Sequence, residues 1–272
     1  MTDTTSKVRD HYGATGLIDR IKSAVAANTT DDPKLTVAQL APLDHFHTRG
    51  VLATADLAAA AGIEPSTRVL DLGCGIGGPA RYLAANFACK VTGVDLSPGF
   101  IDAANYLTAR CGLADRVTFL VGDASHLPFE DAAFDAVFLQ HVAMNIEDRA
   151  ALYSEVRRIL APGGRFATYD LVLREGEVVY PAPWASDAST SFLLSEDDTR
   201  MALEQAGFKV VFWRDDTHTA LDWFQKTIAG SPPGGSNLGV VMGPDFPAKV
   251  HNLARNIREN RLGVLSAVLT VG

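Results

Sequence analysis

The chain has 272 residues, 47% hydrophobic and 21% charged, a composition that suits one large α/β domain, alone or with a cap, and a substantial core. Its formal net charge of −8 argues against a nucleic-acid partner, because a phosphate backbone is held by clustered Lys and Arg. The opening MTDTTSKVRDHYG is not apolar and no run of roughly 18 apolar residues follows, so the expected protein is cytoplasmic, with no signal peptide and no membrane span.

Residues 1–62 are rich in Ala, Thr and Asp and are read as two or three helices forming an N-terminal helical cap. From 63 to 272 short apolar runs alternate with helical segments, the pattern of a parallel sheet with crossover helices, so the expected class is α/β. Strands are expected at 68–72, 90–95, 116–121, 134–139 and 165–172. Ser97 and Pro98 form an N-cap and N1 pair after the second strand, and Gly112 stands where that helix should end. Another helix fits 147–160, stopped by APGG. In SEDDTRMALEQAGF, Ser195 can cap, Asp197 and Asp198 favour the positive helix end, and Gly207 closes it. A sixth strand follows at 208–213, TALDWFQKTIAG and PAKVHNLARNIREN look helical, and 229–239 reads as a Gly/Pro/Ser-rich surface loop. The closing LGVLSAVLTVG is a last strand, which beside the sixth makes an antiparallel edge. Substrate-side insertions are placed at about 174–194 and 216–262. Cys74, Cys89 and Cys111 show no C-x-x-C spacing and are read as reduced thiols.

VLDLGCGIGGPARYLA, residues 69–84, holds Gly73, Gly75 and Gly78 in G-x-G-x-x-G spacing, directly after an expected strand and at the opening of a helix. Such a turn allows close backbone approach to a ligand. Asp95, 20 residues beyond Gly75 at the end of the second strand, can accept two hydrogen bonds from ribose hydroxyls. The structural alternative is a tight turn with Asp95 as a helix cap. NAD and S-adenosylmethionine both carry that ribose, and Asp71, two residues before the first glycine, bears on the choice. An acid about 4 Å from a pyrophosphate charge would be repelled by about 4 kcal/mol at an effective dielectric of 20. The same acid attracts the ammonium and sulfonium of S-adenosylmethionine, whose carboxylate can face the turn amides. A cap on the following helix turn is the alternative for Asp71.

VLDLGCGIGG, VTGVDLS, VGDASHLPFEDAAFDAVFLQHVAMNI and RILAPGGRF together resemble the successive motifs of class I S-adenosylmethionine-dependent methyltransferases, closely over about 65–213. The resemblance implies a Rossmann-like, seven-stranded, mostly parallel sheet in the order 3-2-1-4-5-7-6 with helices on both faces. Within the family, HYG, LDHFHTRG, QHVAMNI and PAPWA look most like bacterial small-molecule enzymes of the sarcosine/dimethylglycine and tocopherol methyltransferase type. Carried over by position, Gly73, Cys74 and Gly75 would wrap the methionine part of the cofactor, Asp95 the ribose, and Leu96 would pack on adenine. Asp123 would meet the adenine amino group and the backbone of Ala124 a ring nitrogen, while main-chain carbonyls at Gln140 would hold the ammonium.

Methyl transfer needs an acceptor lone pair in line with the methyl carbon and sulfur, so no catalytic base is obligatory. His141 should lie beside the cofactor and orient an acceptor or take its proton, with a structural hydrogen bond as the alternative. Tyr12 and His47 resemble family positions on the segment that closes over the site, Tyr12 as a catalytic and His47 as a substrate-binding candidate. A surface Tyr and an ordinary loop His are the alternatives. Trp184 and Phe192, in the first insertion, could receive a cationic amine or an apolar ring, or belong to the core. Trp213 and Trp223 are read as core. Asp44, His45 and His47 raise a metal, but the sequence places no third His nearby, so none is expected. The resulting expectation is methyl transfer from S-adenosylmethionine to a small molecule, an amine favoured over a phenolic or carbon acceptor, with a homodimer left open. A dehydrogenase is disfavoured by Asp71 and by the absence of Tyr-x-x-x-Lys. A catalytically silent cofactor-binding protein is the reading from a different class.

Overall fold

The computed structural model describes residues 3–12, 16–28, 34–230 and 238–271. Four helices lead the chain: α1 (Asp3–Tyr12), α2 (Leu17–Asn28), α3 (Val37–Asp44) and α4 (Val51–Ala61). Then follow β1 (Arg68–Leu72), α5 (Gly78–Phe87), β2 (Lys90–Asp95), α6 (Pro98–Cys111), β3 (Val117–Val121), β4 (Phe134–Gln140), α7 (Arg149–Ile159), β5 (Leu160–Leu173), α8 (Glu196–Gln205) and β6 (Phe208–Asp215). The last part holds α9 (Thr217–Gly230), α10 (Gly239–Met242), α11 (Phe246–Arg258) and β7 (Leu262–Val271).

The seven strands form one sheet in the order β3-β2-β1-β4-β5-β7-β6. β1 to β5 pair in parallel, and β7 runs antiparallel to both β5 and β6. This is the expected sheet. The central strands are buried on both faces and therefore read as nearly unbroken apolar runs, as in β4, where Ala136, Val137, Phe138 and Leu139 are all buried. One face packs on α4, α5, α9 and α11 through Leu57, Leu83, Phe224 and Ile257. The other packs on α7 and α8 through Leu152, Val156 and Leu203.

Local signals act as their chemistry dictates. The Ser97 hydroxyl accepts from the Phe100 amide at the start of α6, and Gly112 ends that helix at φ +67°. Ser195 accepts from the Asp198 amide and opens α8. Residues 1–62 hold four helices where two or three were expected, and several boundaries shift, β5 and β6 for identifiable reasons. β5 begins at Leu160, which pairs with Phe134 before the APGG turn displaces the register and pairing resumes at Arg165. β6 continues to Asp215 because β7 is long enough to pair with it there. Most of the expected loop at 229–239 lies outside the described residues. Of the segment 1–62, α4 packs under the sheet, its Ala53, Leu57, Ala58 and Ala61 sharing a core with Ala167, Tyr169 and Val264. Among the described residues no helix is long and apolar enough to cross a membrane.

Candidate active site

A cavity of about 980 Å³ opens at the carboxyl ends of β1, β2 and β4. That volume lies at the top of the roughly 300–1,000 Å³ range of single-ligand sites, so it has room for a cofactor and a small acceptor together. Gly73 and Gly75 line it, at φ +75° and +52°. A Cβ on Gly73 would stand 2.3 Å from a Val142 methyl, and one on Gly75 would stand 3.1 Å from the Phe46 ring. Only glycine keeps this wall thin.

The turn does not work as a cradle of free amides. The Gly73 and Cys74 N–H groups donate to the Val94 carbonyl at 2.8 and 3.0 Å, and the Gly75 N–H donates to Asp95 Oδ2 at 2.9 Å. Cys74 is buried, its thiol directed at the Gly75 carbonyl, and it does not line the cavity. Gly78 serves another purpose: a Cβ there would lie 2.1 Å from the Asp44 carbonyl oxygen, so the third glycine seats α3 on α5. That approach lets Asp44 pair with Arg81 at 2.8 Å, both side chains fully buried.

Asp95, Leu96, Asp123, Ala124 and Gln140 all border the cavity. Asp95 takes the Gly75 amide on Oδ2 and the Ser97 amide on Oδ1, which leaves lone pairs on both oxygens for a pair of hydroxyls. Burial raises its pKa to about 6. Gln140 Oε1 accepts from the Thr54 hydroxyl at 3.0 Å, while its Nε2 is buried without a partner. Asp71 departs from the expectation. It is buried beneath the turn, receives the Ala80 amide at the start of α5, and does not line the cavity. Its other oxygen has no partner, and burial raises its pKa to about 7. The helix cap is therefore the reading that holds for Asp71, and the choice of cofactor rests on the sheet instead.

On the acceptor side, Tyr12, His141 and Trp184 line the cavity. The Tyr12 hydroxyl donates to Asn145 Oδ1 at 3.1 Å, and its ring rests against Phe100. Trp184 Nε1 donates to the Ser191 hydroxyl at 2.9 Å. His141 sits at φ +53°, a strained conformation costing roughly 1–3 kcal/mol that concentrates at functional sites. Its N–H donates to the Tyr169 carbonyl at 2.8 Å, and burial lowers its pKa to about 3. His47 and Phe192 do not line the cavity. His47 is buried and faces the Gly50 carbonyl at 3.0 Å and the Thr54 hydroxyl at 3.1 Å, so it braces the loop into α4. Phe192 is held by its main chain, bonded to the Met144 carbonyl and to Arg149.

Sequence reasoning missed several residues of the site. Asn145 is the junction of three segments: it accepts from Tyr12 and donates to the Trp184 carbonyl at 2.9 Å. Asp170 accepts the Ala143 amide and fixes the loop after β4. Phe46, Phe100, Met144 and Leu253 complete the apolar wall. Thr54 gave one signal, as a hydroxyl that shares the mostly apolar VLATADLAAAA with Asp56 alone among polar residues.

Residues 70–168 match the family model described as a methyltransferase domain. A sterol 24-C-methyltransferase of Saccharomyces cerevisiae is 31% identical over 179 residues, 62% of this chain and 46% of that protein. A probable chloroplastic tocopherol O-methyltransferase of Oryza sativa subsp. japonica is 43% identical over 97 residues, 36% of this chain and 27% of that one. The chain thus spans less than half the length of these curated relatives. In fold it is similar to geranyl diphosphate C-methyltransferase from Streptomyces coelicolor A3(2), at a TM-score of 0.72 and 18% identity, covering 100% of this chain and 99% of that one. The reversed β7 between β5 and β6 separates this sheet from the 3-2-1-4-5-6 order of dinucleotide-binding folds. With the matched domain, it agrees with the class I S-adenosylmethionine-dependent methyltransferases that the sequence resembles. The residues present fit that cofactor: a thin glycine wall, a carboxylate with lone pairs for a ribose, and a buried unpaired amide at Gln140.

Proposed function

We propose that this chain transfers a methyl group from S-adenosylmethionine to a small, largely apolar molecule, with an amine nitrogen as the favoured acceptor atom. The observation that carries this reading is the state of the His141 ring: burial keeps it neutral, and it meets a threonine hydroxyl instead of a carboxylate that would orient it as a base. The bound cofactor supplies a methyl group already activated on a sulfonium, so a neutral amine needs alignment and exclusion of water, while a phenol must also lose a proton. Asp95 holds the ribose hydroxyls, and Gln140 offers its free amide. Phe46, Phe100, Met144 and Trp184 keep the acceptor in an apolar surround. α1 covers the opening through Tyr12 on Asn145 and through His11, whose ring nitrogen lies 3.1 Å from the Pro183 carbonyl.

A carbon acceptor is the second reading, favoured by the sterol C-methyltransferases among the sequence relatives and by the same apolar wall. Incubation with methyl-labelled S-adenosylmethionine and a panel of secondary and tertiary amines, phenols and isoprenoid alkenes tests both. Labelled products confined to the amines support the proposal. Turnover of alkenes alone overturns the amine assignment, and an unlabelled panel beside tight cofactor binding favours the silent binder.

A further inference from the structure

We propose that Thr48 is a positioning residue that holds His141 with its proton on Nδ1, so that this ring offers an N–H donor, rather than a base, to a hydrogen-bond-accepting group of the methyl acceptor. What Nδ1 meets rests on the transferase reading; the tautomer does not. The His141 ring stacks on Tyr169 with centroids 5.5 Å apart and planes 10° from parallel. Stacking and the bond from its N–H to the Tyr169 carbonyl together limit how the ring can turn.

In that pose Nε2 lies 3.4 Å from Thr48 Oγ1, and Thr48 Oγ1 lies 2.9 Å from the Tyr169 hydroxyl. The distance at Nε2 is long, as such bonds often are before a ligand tightens the site. The direction of this chain of bonds follows from its far end. Arg49, clamped by Asp56 at 2.7 Å and near Asp216 at 3.7 Å, lies beside the Tyr169 oxygen. A guanidinium has donors and no acceptor, so the Tyr169 oxygen turns its lone pairs to Arg49 and gives its hydrogen to Thr48. The Thr48 hydrogen is then left for Nε2. Burial keeps the imidazole neutral, so the one ring hydrogen resides on Nδ1. Among the described residues Nδ1 has no protein partner, and His141 borders the cavity. The acceptor that fits carries a carbonyl, carboxylate or ether oxygen close to the atom that is methylated.

The test is a long-range ¹⁵N–¹H correlation spectrum of the whole ¹⁵N-labelled chain at pH 7, without cofactor or acceptor, with the His141 signals assigned by their loss in His141→Gln. The expected wild-type pattern is a neutral ring protonated on Nδ1. In Thr48→Val more than half of the population should move to the Nε2–H form, and Thr48→Ser should restore the original pattern. A wild-type ring protonated on Nε2, an imidazolium at pH 7, or a Thr48→Val spectrum identical to wild type would overturn the proposal. If Thr48→Val does not fold, the wild-type tautomer still decides. Because no substrate is present, failure of the methylation screen leaves this result standing, and the reverse is equally true.

Discussion

Replacing Asp95 measures how much of the cofactor's affinity rests on one carboxylate. Each of its oxygens already takes one amide, from Gly75 and from Ser97, both at 2.9 Å, so one further acceptor site on each oxygen is left for a ribose hydroxyl. Two charge-assisted bonds at about 1.5–3 kcal/mol each are lost in Asp95→Ala, about 3–6 kcal/mol together. At 1.4 kcal/mol per decade that is a fall in affinity of roughly 10²–10⁴-fold. Protonation removes the same charge. With a pKa raised to about 6 by burial, the acid is ionised at pH 7 and about one-tenth ionised at pH 5. Affinity in the wild type should therefore fall about tenfold as pH drops from 7 to 5 and change little in the Asp95→Ala variant. Isothermal titration calorimetry with S-adenosylmethionine and its demethylated product checks both arms. An Asp95→Ala protein that binds within about threefold of wild type, or a wild-type affinity that is flat across this range, would refute the assignment.

Gly78→Ala should destabilise the fold by several kcal/mol, since its Cβ meets a backbone carbonyl at 2.1 Å and forces Asp44 off the buried Arg81. Gly99→Ala, whose nearest contact is 3.9 Å, should be near neutral in the same urea titrations. Asp71 has a folded pKa raised from 3.8 to about 7, so its ionised form opposes folding: the penalty is absent below about pH 4, grows through the window, and is complete above about pH 7. At 1.36 kcal/mol per unit it reaches on the order of 4 kcal/mol. Asp71→Asn should gain stability relative to wild type as pH rises from 4 to 8, and parallel stability curves would count against this account. His141→Ala should lower turnover by no more than about 10²-fold without removing a limb of the pH profile; a loss beyond about 10³-fold with cofactor affinity intact would restore His141 as a base. Deleting residues 1–12 should depress turnover while circular dichroism and cofactor binding persist. Deletion through residue 48 is the wrong cut, because it also strips Asp44 from Arg81 and Thr48 from His141.

The sheet was legible because strand identity is written in consecutive residues. Val69 to Leu72 and Ala136 to Leu139 are apolar or buried without a break, and a strand buried on both faces has no other way to be built. That Asp95, Asp123 and Gln140 meet at one cavity was legible for a related reason: each stands at or just past a strand end, and parallel strands bring their carboxyl ends to one edge. What could not be read is how side chains divide a shared space. Asp71 and Asp95 both end apolar strands, yet one turns under the helix and the other into the cavity. His47 and His141 carry the same chemistry, but the hydroxyl of Thr54 and the carbonyl of Gly50 engage the first, while a left-handed backbone carries the second to the cavity. Thr48 and Asn145 belong to no local pattern. Thr48 meets His141 across 93 residues of chain and Asn145 meets Tyr12 across 133, distances at which only the folded topology decides contact.

Selectivity in this cavity follows from how its polar atoms are already engaged. The Tyr12 hydroxyl is spent on Asn145, the Asn145 amide on Trp184, the Trp184 ring N–H on Ser191 and the Thr54 hydroxyl on Gln140. Such mutual satisfaction leaves these groups little to offer a guest, and beside them Phe46, Phe100, Met144 and Trp184 select by shape. The donors that remain without a protein partner are therefore the informative ones. They include Nε and Nη1 of Arg149, which borders the cavity. A buried donor left unpaired costs about 1–3 kcal/mol, a cost relieved only by a ligand that brings an acceptor to it. Molecules of the right outline that lack such an oxygen leave that cost in place, and the site rejects them more strongly than it rejects those differing by a methylene.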